Sequence, residues 1–272
     1  MIGVVGGMGP YAGLDLVGKV FAHTSAVRDQ DHLPVALLSL PDEIPDRTAF
    51  LLGEEAENPA SAIGRILRQL GDLGATVAGI ACNTAHSPRI FDVVQASLTE
   101  RRSRLRLLSM VEETVRFSHR CLPRGCRIGI LSTSGSHRAG TYREAFRDTS
   151  FRVVALTDAE MTDLVHRSIY HPGWGIKAHV NPVSVQATER LTEACRRLVC
   201  RGAQAVILGC TELSFALPEP RARGLIAVDP AVALARALIR SVRPDRLMPL
   251  SAGHASGHDV PVPRSATPFP RL

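Results

Sequence analysis

The sequence predicts an α/β fold of two pseudo-symmetric lobes, each a parallel sheet flanked by helices, with the active site in the cleft between them. Short apolar runs alternate with helical patterns along the chain, as in parallel sheets covered by helices. One half of the chain repeats in the other, and each half ends a buried strand on a cysteine. With 272 residues, 45% of them hydrophobic, the chain is long enough to bury two cores.

Taken in order, the apolar runs predict strands at Ile2 to Val5, Val35 to Leu40, Val77 to Ala81, Arg127 to Leu131, Arg152 to Leu156, Ala205 to Leu208 and Leu225 to Val228. Helical periodicity predicts Tyr11 to Ala26, Pro59 to Leu73, Val111 to Arg120, Arg138 to Arg147, Val183 to Arg201 and Pro230 to Ser241 between them. The arginine run Arg101, Arg102, Arg104 and Arg106 reads as a solvated connector. After residue 243 periodicity gives way to Pro, Ser, Gly, His and Arg, so 244–272 is expected to be a disordered tail.

The repeat is clearest around two cysteines. Cys82 and Cys210 each stand eight places after a glycine, Gly74 and Gly202, at the end of similar strand patterns. The first strand and its loop, Gly3 to Gly9, recur loosely as Gly129 to Gly135. A cysteine after a buried strand is usually a small core residue. Here both are followed at once by polar residues, Asn83-Thr84 and Thr211-Glu212, at the strand ends where open α/β sheets keep their ligand sites.

Two like groups in mirror-related positions suit inversion of an α-carbon, with a base on one face and an acid on the other. A thiol, with a reference pKa of about 8.5, is close enough to neutrality for either role. Asn83, Thr84, Thr133, Ser134, Ser136 and Thr211 fall in predicted strand-end loops and could supply donors to a carboxylate or carbanion. Arg47 and Lys177 are the candidate cations for a second carboxylate. Lys177 is notable because the chain otherwise keeps only Lys19 among its lysines.

Other classes fit less well. The net charge of +6 is scattered and only 4% of residues are aromatic, which argues against nucleic acid as a partner. No apolar stretch is long enough for a membrane span and no signal-peptide pattern opens the chain, so no membrane partner and a cytoplasmic location are expected. The six cysteines are then expected as thiols, and the Cys121/Cys126 and Cys195/Cys200 pairs lack a zinc-site pattern. His254 and His258 have no nearby ligand cluster either, so no metal is expected. Gly7-Met8-Gly9-Pro10-Tyr11-Ala12 matches a dinucleotide loop, but the acidic residue that should end the second strand is misplaced. A redox-sensing thiol protein would leave Arg47 and Lys177 unexplained.

At Gly6-Gly7-Met8-Gly9-Pro10, Asp29-Gln30-Asp31-His32, Ile44-Pro45-Asp46-Arg47-Thr48, Cys82-Asn83-Thr84-Ala85-His86, Gly175-Ile176-Lys177 and Leu208-Gly209-Cys210-Thr211-Glu212-Leu213, the sequence resembles the aspartate/glutamate racemase family, and more closely its aspartate racemase branch. The resemblance covers roughly 1–243. It implies a cofactor-independent racemase acting on aspartate or a close acidic amino acid, with Cys82 and Cys210 as the proton-transfer pair. By the same resemblance Asn83 and Thr84 hold the α-carboxylate, Met8 lines the cleft, and Arg47 and Lys177 grip the side-chain carboxylate. It implies a first lobe of 1–105 and 225–243, closed by a returning C-terminal helix, and a second lobe of 106–224. A homodimer is compatible with it. The chain departs at Ser136, where many members have Thr, and at Ala139, where many have Ser. His86 and Glu212 receive no catalytic role. Maleate isomerase or hydantoin racemase chemistry on a related scaffold, and a pyridoxal-dependent racemase using Lys177, are the alternatives within the enzyme class.

Overall fold

The computed structural model describes residues 1–100, 103–217 and 225–250. Two four-stranded parallel sheets form its centre. The first contains β1 (Ile2–Val5), β2 (Val35–Leu38), β3 (Val77–Ile80) and β4 (Arg106–Leu108) in the order β2-β1-β3-β4. The second contains β5 (Arg127–Ser132), β6 (Arg152–Val154), β7 (Ala205–Gly209) and β8 (Ile226–Val228) in the matching order β6-β5-β7-β8. The repeat read from the sequence is therefore a repeat of topology, and each cysteine follows the equivalent inner strand.

The first half carries α1 (Pro10–Ala22), α2 (Arg47–Leu52), α3 (Ala60–Asp72), α4 (Pro88–Glu100) and α5 (Met110–Cys121). The second carries α6 (Ser134–Arg138), α7 (Thr141–Ala145), α8 (Asp158–Glu160), α9 (Arg167–Tyr170), α10 (Val185–Cys200), α11 (Leu213–Ala216) and α12 (Pro230–Val242). A π-helical segment, Met161–His166, joins α8 to α9. In α3 the buried Ile63, Ile66, Leu67 and Leu70 follow helical spacing and make one core face. Glycines in the inner strands admit these helices closely. A Cβ on Gly3 would meet Leu70 of α3 at 3.3 Å, and one on Gly129 would meet Leu198 of α10 at 2.6 Å.

The last helix of each half crosses to the other. α5 follows β4, yet its Val111 and Phe117 pack with Ile128, Ile130 and Phe146 of the second half. α12 follows β8, yet its Leu234, Ala235 and Leu238 pack with Ile2, Val4 and Leu16 of the first. Every residue from Pro230 to Ile239 is buried, Arg236 being the one charged side chain among them, which fits a helix enclosed between two cores. Its N-cap, Asp229, ion-pairs with Lys19 of α1 at 3.1 Å, and Asp15 pairs with the same ammonium. Burial pulls the Lys19 pKa down, but the two carboxylates outweigh it and raise the value above its ordinary level.

Several expectations need correction. The arginine run is not wholly a solvated connector: Arg106 begins β4, and Leu107 and Leu108 turn toward cores on either side of the sheet. Arg101 and Arg102 lie outside the described residues. β4 extends the first sheet past residue 105, and β8 pairs with β7 in the second sheet, so only α12 returns to the first core. The helix expected from Arg138 to Arg147 is broken by Gly140, at φ +66, into α6 and α7. The segment 244–250 is not a free tail, because Leu247 bridges Thr24 and the Met248 amide donates to the His23 carbonyl. The rest of the expected tail, 251–272, lies outside the described residues. Helices α2 and α4 were not anticipated.

Leu234 is 0% exposed and its side chain lies over Gly79 of β3. Leu234→Ala is expected to destabilise the protein by about 2 to 5 kcal/mol, read as a lower urea midpoint with an unchanged m-value. Leu14→Ala, at a 58% exposed position on α1, should stay within about 0.5 kcal/mol of the parent.

Candidate active site

Cys82 and Cys210 stand just beyond the C-terminal ends of β3 and β7, and each is 5% exposed. The two environments differ. Beside Cys82 lies Arg47, the first residue of α2, whose entry is fixed by the Asp46 carboxylate accepting the Ala49 amide at 2.8 Å. Arg47 is buried, donates to the Pro45 carbonyl at 3.1 Å and has an Nε without a partner. Burial lowers its pKa, but the charges of Cys82 and Asp46 outweigh that and raise it.

Around Cys210 the organising group is Glu212. One carboxylate oxygen accepts from Lys177 Nζ at 2.9 Å and from the Gly9 amide at 3.2 Å. The other accepts from Cys210 Sγ and from Thr211 Oγ1, both at 3.0 Å. Gly9 belongs to the loop after β1, so this carboxylate ties the two lobes together. Burial pushes the Glu212 pKa up, but Lys177 and its hydrogen bonds hold it at about 2. Burial, followed by the Glu212 charge, raises the Cys210 thiol well above its ordinary value, and Lys177 offsets only part of this. Burial also pulls Lys177 down, but Glu212 reverses that, so the ammonium keeps its proton. Lys177 sits over the Tyr170 ring at 5.2 Å and feels the charge of Arg47.

A chain of hydroxyls closes the space between the lobes. Tyr170 donates to Thr48 at 3.1 Å, Thr48 donates to Thr133 at 3.2 Å, and Thr133 lies 3.2 Å from Thr84. Ser136 donates to Thr84 at 3.1 Å. Thr133 also caps α6. Tyr142 spans the two cysteine motifs: its hydroxyl donates to Asn83 Oδ1, and its ring lies where a Cβ on Gly209 would stand 3.1 Å away. The amide nitrogen of Asn83 is buried without a partner.

The structure thus brings Cys82, Asn83, Thr84, Thr133, Arg47, Lys177, Cys210 and Thr211 to the meeting of the lobes. Met8 is buried in the first-lobe core with Cys82. Thr211 and Lys177 bond to Glu212, so neither stands free as the sequence reading pictured them. Tyr142 and Tyr170 were not singled out by the sequence, and Thr48 entered only as part of the motif from Ile44 to Thr48. Glu212 was named for its place two residues after the second cysteine but given no catalytic role; here it organises the Cys210 side. His86 satisfies its own loop: Nδ1 lies 2.8 Å from the Cys82 carbonyl, the ring stacks on Phe91, and burial lowers its pKa to about 4. Among the described residues no cluster of His, Cys, Asp and Glu could hold a metal ion, and no helix is long and apolar enough to cross a membrane.

The fold is similar to that of the Picrophilus torridus aspartate racemase, with a TM-score of 0.72 at 26% identity over 88% of this chain and 93% of that one. An aspartate racemase homologue from Pyrococcus horikoshii gives 0.66 at 21% identity, over 88% and 97%. The glutamate racemase from Aquifex pyrophilus gives 0.54 at 15%, over 89% and 84%, and at these identities the likeness concerns the fold. The family model described as Asp/Glu/Hydantoin racemase matches residues 5–238, spanning both cysteine motifs, and the chain belongs to that family.

Proposed function

We propose that the protein is a cofactor-independent racemase of aspartate or a close acidic amino acid, and that Cys82 and Cys210 move the α-proton. The observation that carries this reading is the placement of two buried thiols after equivalent strands of two equivalent sheets, with unlike partners. Cys210 donates to a carboxylate and rests as the acid. Cys82 has a guanidinium at hand and takes the base role in the direction that starts from this state. The roles exchange for the reverse reaction.

Two buried donors without a protein partner, Arg47 Nε and Asn83 Nδ2, are available to carboxylate groups and support this reading. Arg47 is assigned to the side-chain carboxylate and Asn83, with Thr84, to the α-carboxylate. Lys177 supports the positive field through Glu212. Its ammonium is held protonated, which suits an electrostatic role better than that of an imine-forming amine. Incubation with single L-amino acids, followed by chiral chromatography, tests the substrate directly. Turnover of aspartate without added pyridoxal phosphate or metal is expected, and an absolute requirement for either would sink the proposal.

Cys82→Ser and Cys210→Ser should each abolish efficient racemisation. The remaining thiol still serves its own face, so each variant should exchange the α-proton of one enantiomer with deuterium, and the two variants should choose opposite enantiomers. Full racemisation by either variant, or the same enantiomer from both, contradicts the opposed arrangement.

Arg47→Ala should weaken productive binding of aspartate by about 30-fold to several thousandfold and leave a neutral amino acid less affected, because a buried charged contact loses one partner. This is read as the ratio of kcat/KM for aspartate and alanine.

Glu212→Gln removes the anion that raises Cys210 and leaves Lys177, which lowers it. The alkaline limb of kcat/KM against pH, where the thiol acid is lost, should therefore move to lower pH. An unmoved limb would show that the Glu212 charge does not set the protonation of Cys210 during turnover.

A further inference from the structure

The helices that cross between lobes, α5 and α12, leave a groove of about 290 Å³ between them, away from both cysteines. It is lined by Arg116, Arg120, Arg236 and Arg240, with Glu113 and Phe117. Glu113 is the one lining carboxylate, and it is already bonded to Arg116 and, at 2.7 Å, to Arg240. Neither Arg120 nor Arg236 has a carboxylate partner among the described residues. Arg236 is only 4% exposed. One of its terminal nitrogens donates to the Met248 carbonyl at 2.8 Å, another lies 3.3 Å from His23 Nδ1, and its Nε has no acceptor. A buried guanidinium bonded to a carbonyl, with a spare donor and cationic neighbours, is costly unless an anion meets it. Burial and then the charge of Arg120 lower its pKa, in keeping with that deficit.

We infer that this groove is a binding site for a phosphate group, separate from the racemase site. Arginine suits phosphate because its planar fork places two donors on two oxygens, and a dianion matches the excess of arginines here better than a single carboxylate. The site joins α5, seated on the second core, to α12, seated largely on the first. A bound phosphate group therefore bridges the two lobes and stabilises their packing. The source is either inorganic phosphate or a small phosphomonoester.

The test measures binding on the full-length protein and does not depend on catalysis. Thermal unfolding is followed while sodium phosphate, or glycerol phosphate in a parallel series, replaces sodium chloride at constant ionic strength, and isothermal titration gives the affinity for each. A saturable rise in Tm with either probe is expected, and the tighter probe identifies the source. Arg120→Ala, at an exposed position, should fold normally and bind about tenfold to a hundredfold more weakly. Arg236→Gln, if folded, should lose saturable binding and melt at a temperature that phosphate no longer raises. Equal Tm values in phosphate and chloride, or unchanged affinity in Arg120→Ala, would overturn the assignment.

Discussion

A single buried carboxylate, that of Glu212, sets the terms for much of the surrounding structure. It has no water-exposed face on which to spread its charge, so every acceptor position has to be met by protein. Lys177, Cys210, Thr211 and the Gly9 amide meet them. Because Gly9 comes from the first lobe and the others from the second, satisfying the charge requires the lobes to come together. The same interaction fixes the orientation of the Cys210 sulfur and keeps Lys177 charged, so lobe contact and protonation state are coupled through one group.

The sheets were legible because their strands are short, apolar and bounded by polar loops, and because the second half repeats the first. That repeat also singled out Cys82 and Cys210, which neither periodicity nor composition would have distinguished from the other four cysteines. Glu212 was not legible as a partner: an acidic residue just after a strand reads equally well as one stabilising the first turn of a helix. Tyr142 was hidden for a different reason. Its two contacts, Asn83 and Gly209, lie 59 and 67 positions away, and no local pattern encodes such separations. β4 was obscured by the arginines around it, although Arg106 needs only one face of an edge strand and leaves Leu107 and Leu108 free to pack.

The exchange of terminal helices explains why the two lobes resist division by sequence position. Each sheet is completed by a strand from its own half, but each core is completed by the helix that follows that strand in the other half. Neither half encloses its apolar surface alone. Burial of the two cores is therefore one shared packing event, with α5 and α12 packed against each other.

The two lysines of the chain are both committed to carboxylates, Lys19 beneath α12 and Lys177 at the candidate site. Everywhere else the sequence uses arginine for positive charge. Amine-directed chemistry on the folded protein consequently meets few lysine targets, and Lys177 is guarded by its ion pair. Lys19, with a side chain only 8% exposed, becomes accessible to such reagents when α1 and α12 separate. Acylation at Lys19 thus serves as a natural chemical clock for opening of the first core, with no probe introduced into the chain.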